Sequence, residues 1–114
     1  MTNIPWTKEF PGEITVCDTA GIILEMNDRA ATAFQNRGGR ELVGTSLLDC
    51  HPEPSRSKVQ QLLASGKVNA YTIEKEGIKK LIYQAPCYKD GEYSGLVEVS
   101  VVLPDPLPHL LRNS

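Results

Sequence analysis

The sequence lacks any apolar run near the roughly 20 residues that cross a bilayer, and its start, Met1-Thr2-Asn3-Ile4-Pro5-Trp6, has neither a basic nor a hydrophobic leader region. A cytoplasmic location is expected, with no membrane partner. Charge of one sign is lacking too. Twelve basic against fourteen acidic residues give a net charge of −2, which leaves no electrostatic footprint for nucleic acid. Cysteine is sparse and odd in number: Cys17, Cys50 and Cys87 stand far apart with no Cys-x-x-Cys pair, which argues against a disulfide framework or a structural zinc site. Three reduced thiols are expected. There is no internal repeat and no low-complexity tract beyond the proline spacing of the tail. What remains is a chain of 114 residues, 40% hydrophobic, long enough for one core and one domain.

The most informative stretch is Asp18 to Ala31. Before it, Ile14-Thr15-Val16-Cys17 has strand composition, and Asp18 to Gly21 supplies a hairpin turn in which Asp bonds its own downstream backbone. Ile22, Leu24 and Met26 alternate with Ile23, Glu25 and Asn27, as in a strand with one side on a core. Asn27 or Asp28 then caps a helix that carries Ala30, Ala33 and Phe34 on one face. Gly38 and Gly39 end it. Residues 41 to 48 read as short turns of helix, and Pro52 and Pro54 forbid a continuous helix through 51 to 54. Ser55 is the expected N-cap of a helix with Val59, Leu62 and Leu63 as its buried stripe and Gly66 as its stop. Three antiparallel strands follow, Val68 to Lys75, Ile78 to Tyr88 and Tyr93 to Leu103. In the last of them Val97, Val99 and Val101 oppose Leu96, Glu98 and Ser100, and one face meets the helices. Residues 104 to 111 cannot sustain a hydrogen-bonded ladder, because alternate prolines lack the N–H. They read as a spacer or docking peptide.

Strand, turn with Gly, strand, and a helix opened by Asn-x-x-Ala resemble the opening of PAS domains, small sensory modules of signalling proteins. The resemblance covers roughly residues 10 to 103, and Asp49-Cys50-His51-Pro52-Glu53-Pro54-Ser55 is similar to a Cys-His-Pro segment in a prokaryotic subset of these modules. It implies an α+β fold, a five-stranded antiparallel sheet with the first hairpin beside the last strands and short helices on one face. The expected organisation is a cap over 1–10, a PAS domain over 11–103 and a proline-rich tail over 104–114. The resemblance further implies sensing, by a small-molecule ligand or a protein contact, without catalysis and with a homodimer as readout. In place of the Asp-Ile-Thr-like triad that leads into an output domain stands Val101-Val102-Leu103-Pro104. The module is therefore expected to act by itself or on a separately encoded signalling protein.

The resemblance places a cavity between the inner sheet face and the short helices, lined by Phe34, Leu47, Leu48, Cys50, His51, Leu62, Tyr83 and Cys87, with Tyr83 as polar handle. A filled core is the alternative, and a ligand-free interaction module its functional counterpart. His51 can ligate haem iron or bond local backbone beside the prolines. Cys50 beside it invites a nucleophile reading, but adjacent side chains rarely face each other and no acidic partner or oxyanion loop is recognisable. The Asn-Cys-Arg-type context of flavin attachment is missing, and no metal site is expected. Trp6 and Phe10 are expected either in a dimer interface or as an intramolecular lid, and both arrangements bury the Trp.

Overall fold

The computed structural model describes residues 5–113, and the side chain of Cys50 lies outside the described residues. Strand β1 (Glu13–Asp18) and strand β2 (Ile23–Met26) form the first hairpin. Asp18 makes the turn: its Oδ1 accepts the N–H groups of Ala20 and Ile22 at 2.9 Å each, while Gly21 takes a φ of 87°.

Helix α1 (Asp28–Ala33) starts directly after β2. Its cap, Asn27, does more than end a helix. Oδ1 accepts from Ala30 N–H (3.0 Å) and Ile14 N–H (2.9 Å), and Nδ2 donates to the carbonyls of Thr7 (3.0 Å) and Gly12 (2.8 Å). That uses every donor and acceptor of a carboxamide, and it joins the N-terminal segment, β1 and α1 at one buried side chain. Three short 3₁₀ turns follow, Gln35–Arg37, Gly39–Leu42 and Leu47–Cys50. Between the last two the chain runs along β2, with Gly44 N–H on Ile23 O (2.8 Å), Ile23 N–H on Thr45 O (2.8 Å) and Leu47 N–H on Gly21 O (2.7 Å).

Helix α2 (Ser55–Ser65) buries Val59 and Leu62 and stops at Gly66 in the left-handed conformation. Ser55 is not its cap. The Glu53 carboxylate accepts Ser57 N–H (2.8 Å) and the Ser57 hydroxyl (2.7 Å), so a longer side chain reaches over the prolines to the first turn. At the other end of α2 the Tyr93 hydroxyl donates to Leu63 O at 2.9 Å.

Strands β3 (Asn69–Lys75), β4 (Ile78–Lys89) and β5 (Glu92–Val102) complete a five-stranded antiparallel sheet of order β2-β1-β5-β4-β3. The approach of β1 to β5 demands Gly95, since a Cβ there would lie 1.9 Å from the Cys17 carbonyl oxygen.

All the helices lie on one face, over Leu96, Glu98 and Ser100. Cys17, Ile23, Met26, Ala30, Leu47, Val59, Leu62 and Leu96 form the core, with Phe34, Leu42, Leu48 and Leu63 packed against it. The valines of β5 take the outer face, where Val99 pairs with Ile14 on one side and Tyr83 on the other. Trp6 is not buried within the chain: it meets Phe10 edge-on at 6.0 Å between ring centres and stays 65% exposed. The lid falls to Phe10, which packs beside Gly12 and Val101. Residues 104 to 113 form neither strand nor helix, and Leu107, Leu110 and Leu111 are exposed.

Candidate functional site

The sheet register sets a row of polar side chains across the inner face: Thr15 of β1, Glu98 of β5, Gln84 of β4 and Asn69 of β3 are direct neighbours. Polar groups on a core face must satisfy one another, and these do. Asn69 Nδ2 donates to Gln84 Oε1 (2.9 Å), and Gln84 Nε2 donates to Glu98 Oε2 (2.6 Å). Gln84 is 1% exposed, among the most deeply buried side chains of the described residues.

His51 closes the row from the helical side. The Leu47–Cys50 turn ends there, which brings its ring onto β5. Nε2 lies 3.4 Å from Glu98 Oε2, and Nδ1 lies 3.0 Å from Leu47 O. A carboxylate and a carbonyl can only accept, so the imidazolium is the form that satisfies both contacts. The hydrogen bond with Glu98 raises the His51 pKa, against burial and the Arg37 charge. Burial alone would raise that of Glu98, but the bonds from His51 and Gln84 outweigh it and hold the carboxyl below the usual range. Each group thus favours the charged form of the other.

Beside this row, between α2 and strands β3 and β4, opens a groove of about 290 Å³ lined by Pro54, Ser55, Lys58, Val59, Asn69, Tyr71 and Gln84. Its size is at the lower bound for small-molecule sites. A second groove, of about 390 Å³, lies between the N-terminal segment and the β1–β2 hairpin. There the cations and the amide are already engaged, leaving the Glu25 carboxylate: Lys8 and Arg40 both pair with Asp28, Arg40 also donates to Met26 O, and Asn27 is saturated. Asn69 lines the inner groove; its Nδ2 is bonded to Gln84, and its Oδ1 takes no hydrogen bond among the described residues.

The residues that sequence reasoning placed in a cavity fall into several settings. Leu47 and Leu62 belong to the core, with Phe34 and Leu48 against it. Tyr83 is displaced from the site, because alternation from the buried Gln84 turns it to the outer face, where it is 43% exposed. Cys87 pairs with Gly95 near the far end of β4 and is half-buried, its sulfur 3.8 Å from the Ser94 hydroxyl. The Cys50 side chain lies outside the described residues. His51 is at the site, as an ion-pair partner. Haem does not fit this arrangement, since both ring nitrogens of His51 are engaged. Cys17, the most buried thiol described, has its pKa pushed up to about 11 by burial, which makes it inert. Among the described residues no three His, Cys, Asp or Glu side chains group as a metal site. Sequence reasoning missed Glu98, Gln84 and Asn69. The signal was present in β5, where a carboxylate alternates in step with Leu96.

Sheet order, register and one-sided helices together define a PAS-like α+β fold. Solved structures carry the same fold at low identity. A sensory box sensor histidine kinase from Vibrio cholerae is 12% identical over 84% of this chain and 85% of that one, with a TM-score of 0.63. The Aer2 receptor from Vibrio cholerae, a dual PAS-haem oxygen sensor, is 19% identical over 82% and 95%, with a TM-score of 0.59. The PAS domain of an HTR-like protein from Haloarcula marismortui is 17% identical over 86% and 91%, with a TM-score of 0.60. No family model and no curated protein matches the chain. Among the described residues no helix is long and apolar enough to cross a membrane.

Proposed function

We propose that the chain is a PAS-type sensory module that binds a small molecule in the groove between α2 and strands β3 and β4 and reports occupancy through the outer face of its sheet. The observation that carries this reading is the groove wall: a buried glutamine, held by an ion pair on one side and an asparagine on the other, in a place where an aliphatic side chain would pack more simply. Polar groups in a core lower stability unless fully paired, so their presence beside a groove favours recognition over packing. The Cys-His-Pro segment, on this reading, supplies the imidazolium that holds the wall.

The relay is mechanical. A ligand under α2 shifts the helix against β5, to which Tyr93 and His51 tie it at both ends, and β5 carries the outer valines. A second copy, or a separately encoded signalling protein, docks on that face, and the exposed Trp6 extends it. One observation favours a ligand-free interaction module instead: Leu47, Leu62 and their neighbours fill the centre of the domain, so that the inner groove lies at its edge and not at its centre. Native mass spectrometry of protein purified without added ligand separates the two. A dimer with a reproducible added mass is the expected result; bare chain mass, together with no shift in melting temperature across a metabolite panel, overturns the ligand reading.

A further inference from the structure

Resting on that groove as a ligand site, we propose that it selects a small molecule whose buried end donates an N–H or O–H hydrogen bond to the Asn69 carboxamide oxygen, a polarity dictated by Glu98 through Gln84. An amide side chain can be turned either way, with oxygen and nitrogen exchanged. Here the choice is forced from one end. Glu98, ionised and paired with His51, can only accept. Gln84 must therefore present its N–H₂ to Glu98, at 2.6 Å, and its oxygen to Asn69. Asn69 must in turn present its N–H₂ to Gln84, at 2.9 Å, so its oxygen is the atom left for the groove. The charge pair thus acts on a ligand it does not touch, by setting the direction of two amides in series.

The rest of the groove narrows the ligand class. Val59, Pro54 and the Tyr71 ring offer apolar walls suited to a flat ring, and a volume of about 290 Å³ admits one ring with short substituents. Lys58 and Ser55 also line the groove, and the Lys58 ammonium suits a carboxylate at the ligand's outer end. A monocyclic acid with a hydroxyl or N–H opposite the carboxylate meets all three demands.

The test is a pair of probes close in size that differ in the donor, 4-hydroxybenzoate and 4-fluorobenzoate, titrated calorimetrically into the full chain at pH 7. The hydroxyl compound is expected to bind about tenfold more tightly or better, as one hydrogen bond warrants. In Asn69→Ala the two should bind equally. In Glu98→Gln, where the new amide can donate to Gln84 and the series can reverse, the preference should vanish or invert; circular dichroism checks that each variant is folded, and the wild-type comparison stands without them. Equal affinities in the wild type overturn the donor rule while leaving the groove as a ligand site. Failure of both probes to bind at millimolar concentration overturns the rule and the groove reading together.

Discussion

Asn27 and the His51–Glu98 pair are the side chains on which most of the polar architecture hangs. Replacing Asn27 by Ala removes four hydrogen bonds and strands the buried Gly12 carbonyl and the Ile14 and Ala30 N–H groups, so a loss of about 2–4 kcal/mol is expected. Asn27→Asp keeps the acceptors and loses both donors, and should fall between; urea denaturation ranks the three proteins. For His51, a raised folded pKa means stabilisation that is complete below the ordinary value of 6.5 and is lost as pH rises through the folded value. For Glu98, a lowered folded pKa means stabilisation that is present above 4.5 and is lost as pH falls through its folded value. The pair therefore contributes most between about pH 4.5 and 6.5. The groups that set this window are Glu98 and Leu47 O, which favour the imidazolium, and Arg37, which opposes it. Expected is a stability gap between wild type and His51→Gln that is widest near pH 5.5 and shrinks as pH rises past 6.5 through the raised folded value. A gap that widens with pH would show that His51 is neutral in the fold.

Among the elements, β5 is the most constrained. Gly95→Ala would drive a methyl group into the Cys17 carbonyl, so β1 must part from β5; a loss above about 3 kcal/mol, or no soluble protein, is expected in a thermal melt followed by circular dichroism. Helix α2 depends on Glu53 at its start, and Glu53→Ala should leave the helix in place but speed hydrogen exchange at Ser57. These elements differ in how far the sequence announces them. The first hairpin and the α1 cap are legible because Asp18, Gly21 and Asn27 act on backbone within a few residues of themselves. The inner face of the sheet is not, because alternation separates two faces without saying which one is covered. In β5 the more apolar set, Val97, Val99 and Val101, lies outside, and the set holding Glu98 and Ser100 lies inside. Tyr83 is misplaced for the same reason, and the partnership of Asn69, Gln84 and His51 with Glu98 depends on contacts distant in sequence.

For the whole molecule, the proposed meeting of copies uses the outer sheet face. Val99 sits in its middle between Ile14 and Tyr83, so Val99→Lys should convert a dimer to a monomer in sedimentation equilibrium without lowering the melting temperature by more than a few degrees. A wild-type chain that stays monomeric at 100-fold dilution steps from about millimolar concentration would remove this face as a self-association surface. The order of the strands has a further consequence, for synthesis. Of the five described strands, the first to be made lies inside the sheet, and its second neighbour is the last of the five to be made. Until residue 102 emerges, the nascent hairpin therefore presents an open edge and half a core, and the domain cannot close piecemeal. Folding of the domain must wait until β5 has been made, so a stalled chain released at Gly91 would be a substrate for proteases and chaperones rather than a smaller folded domain.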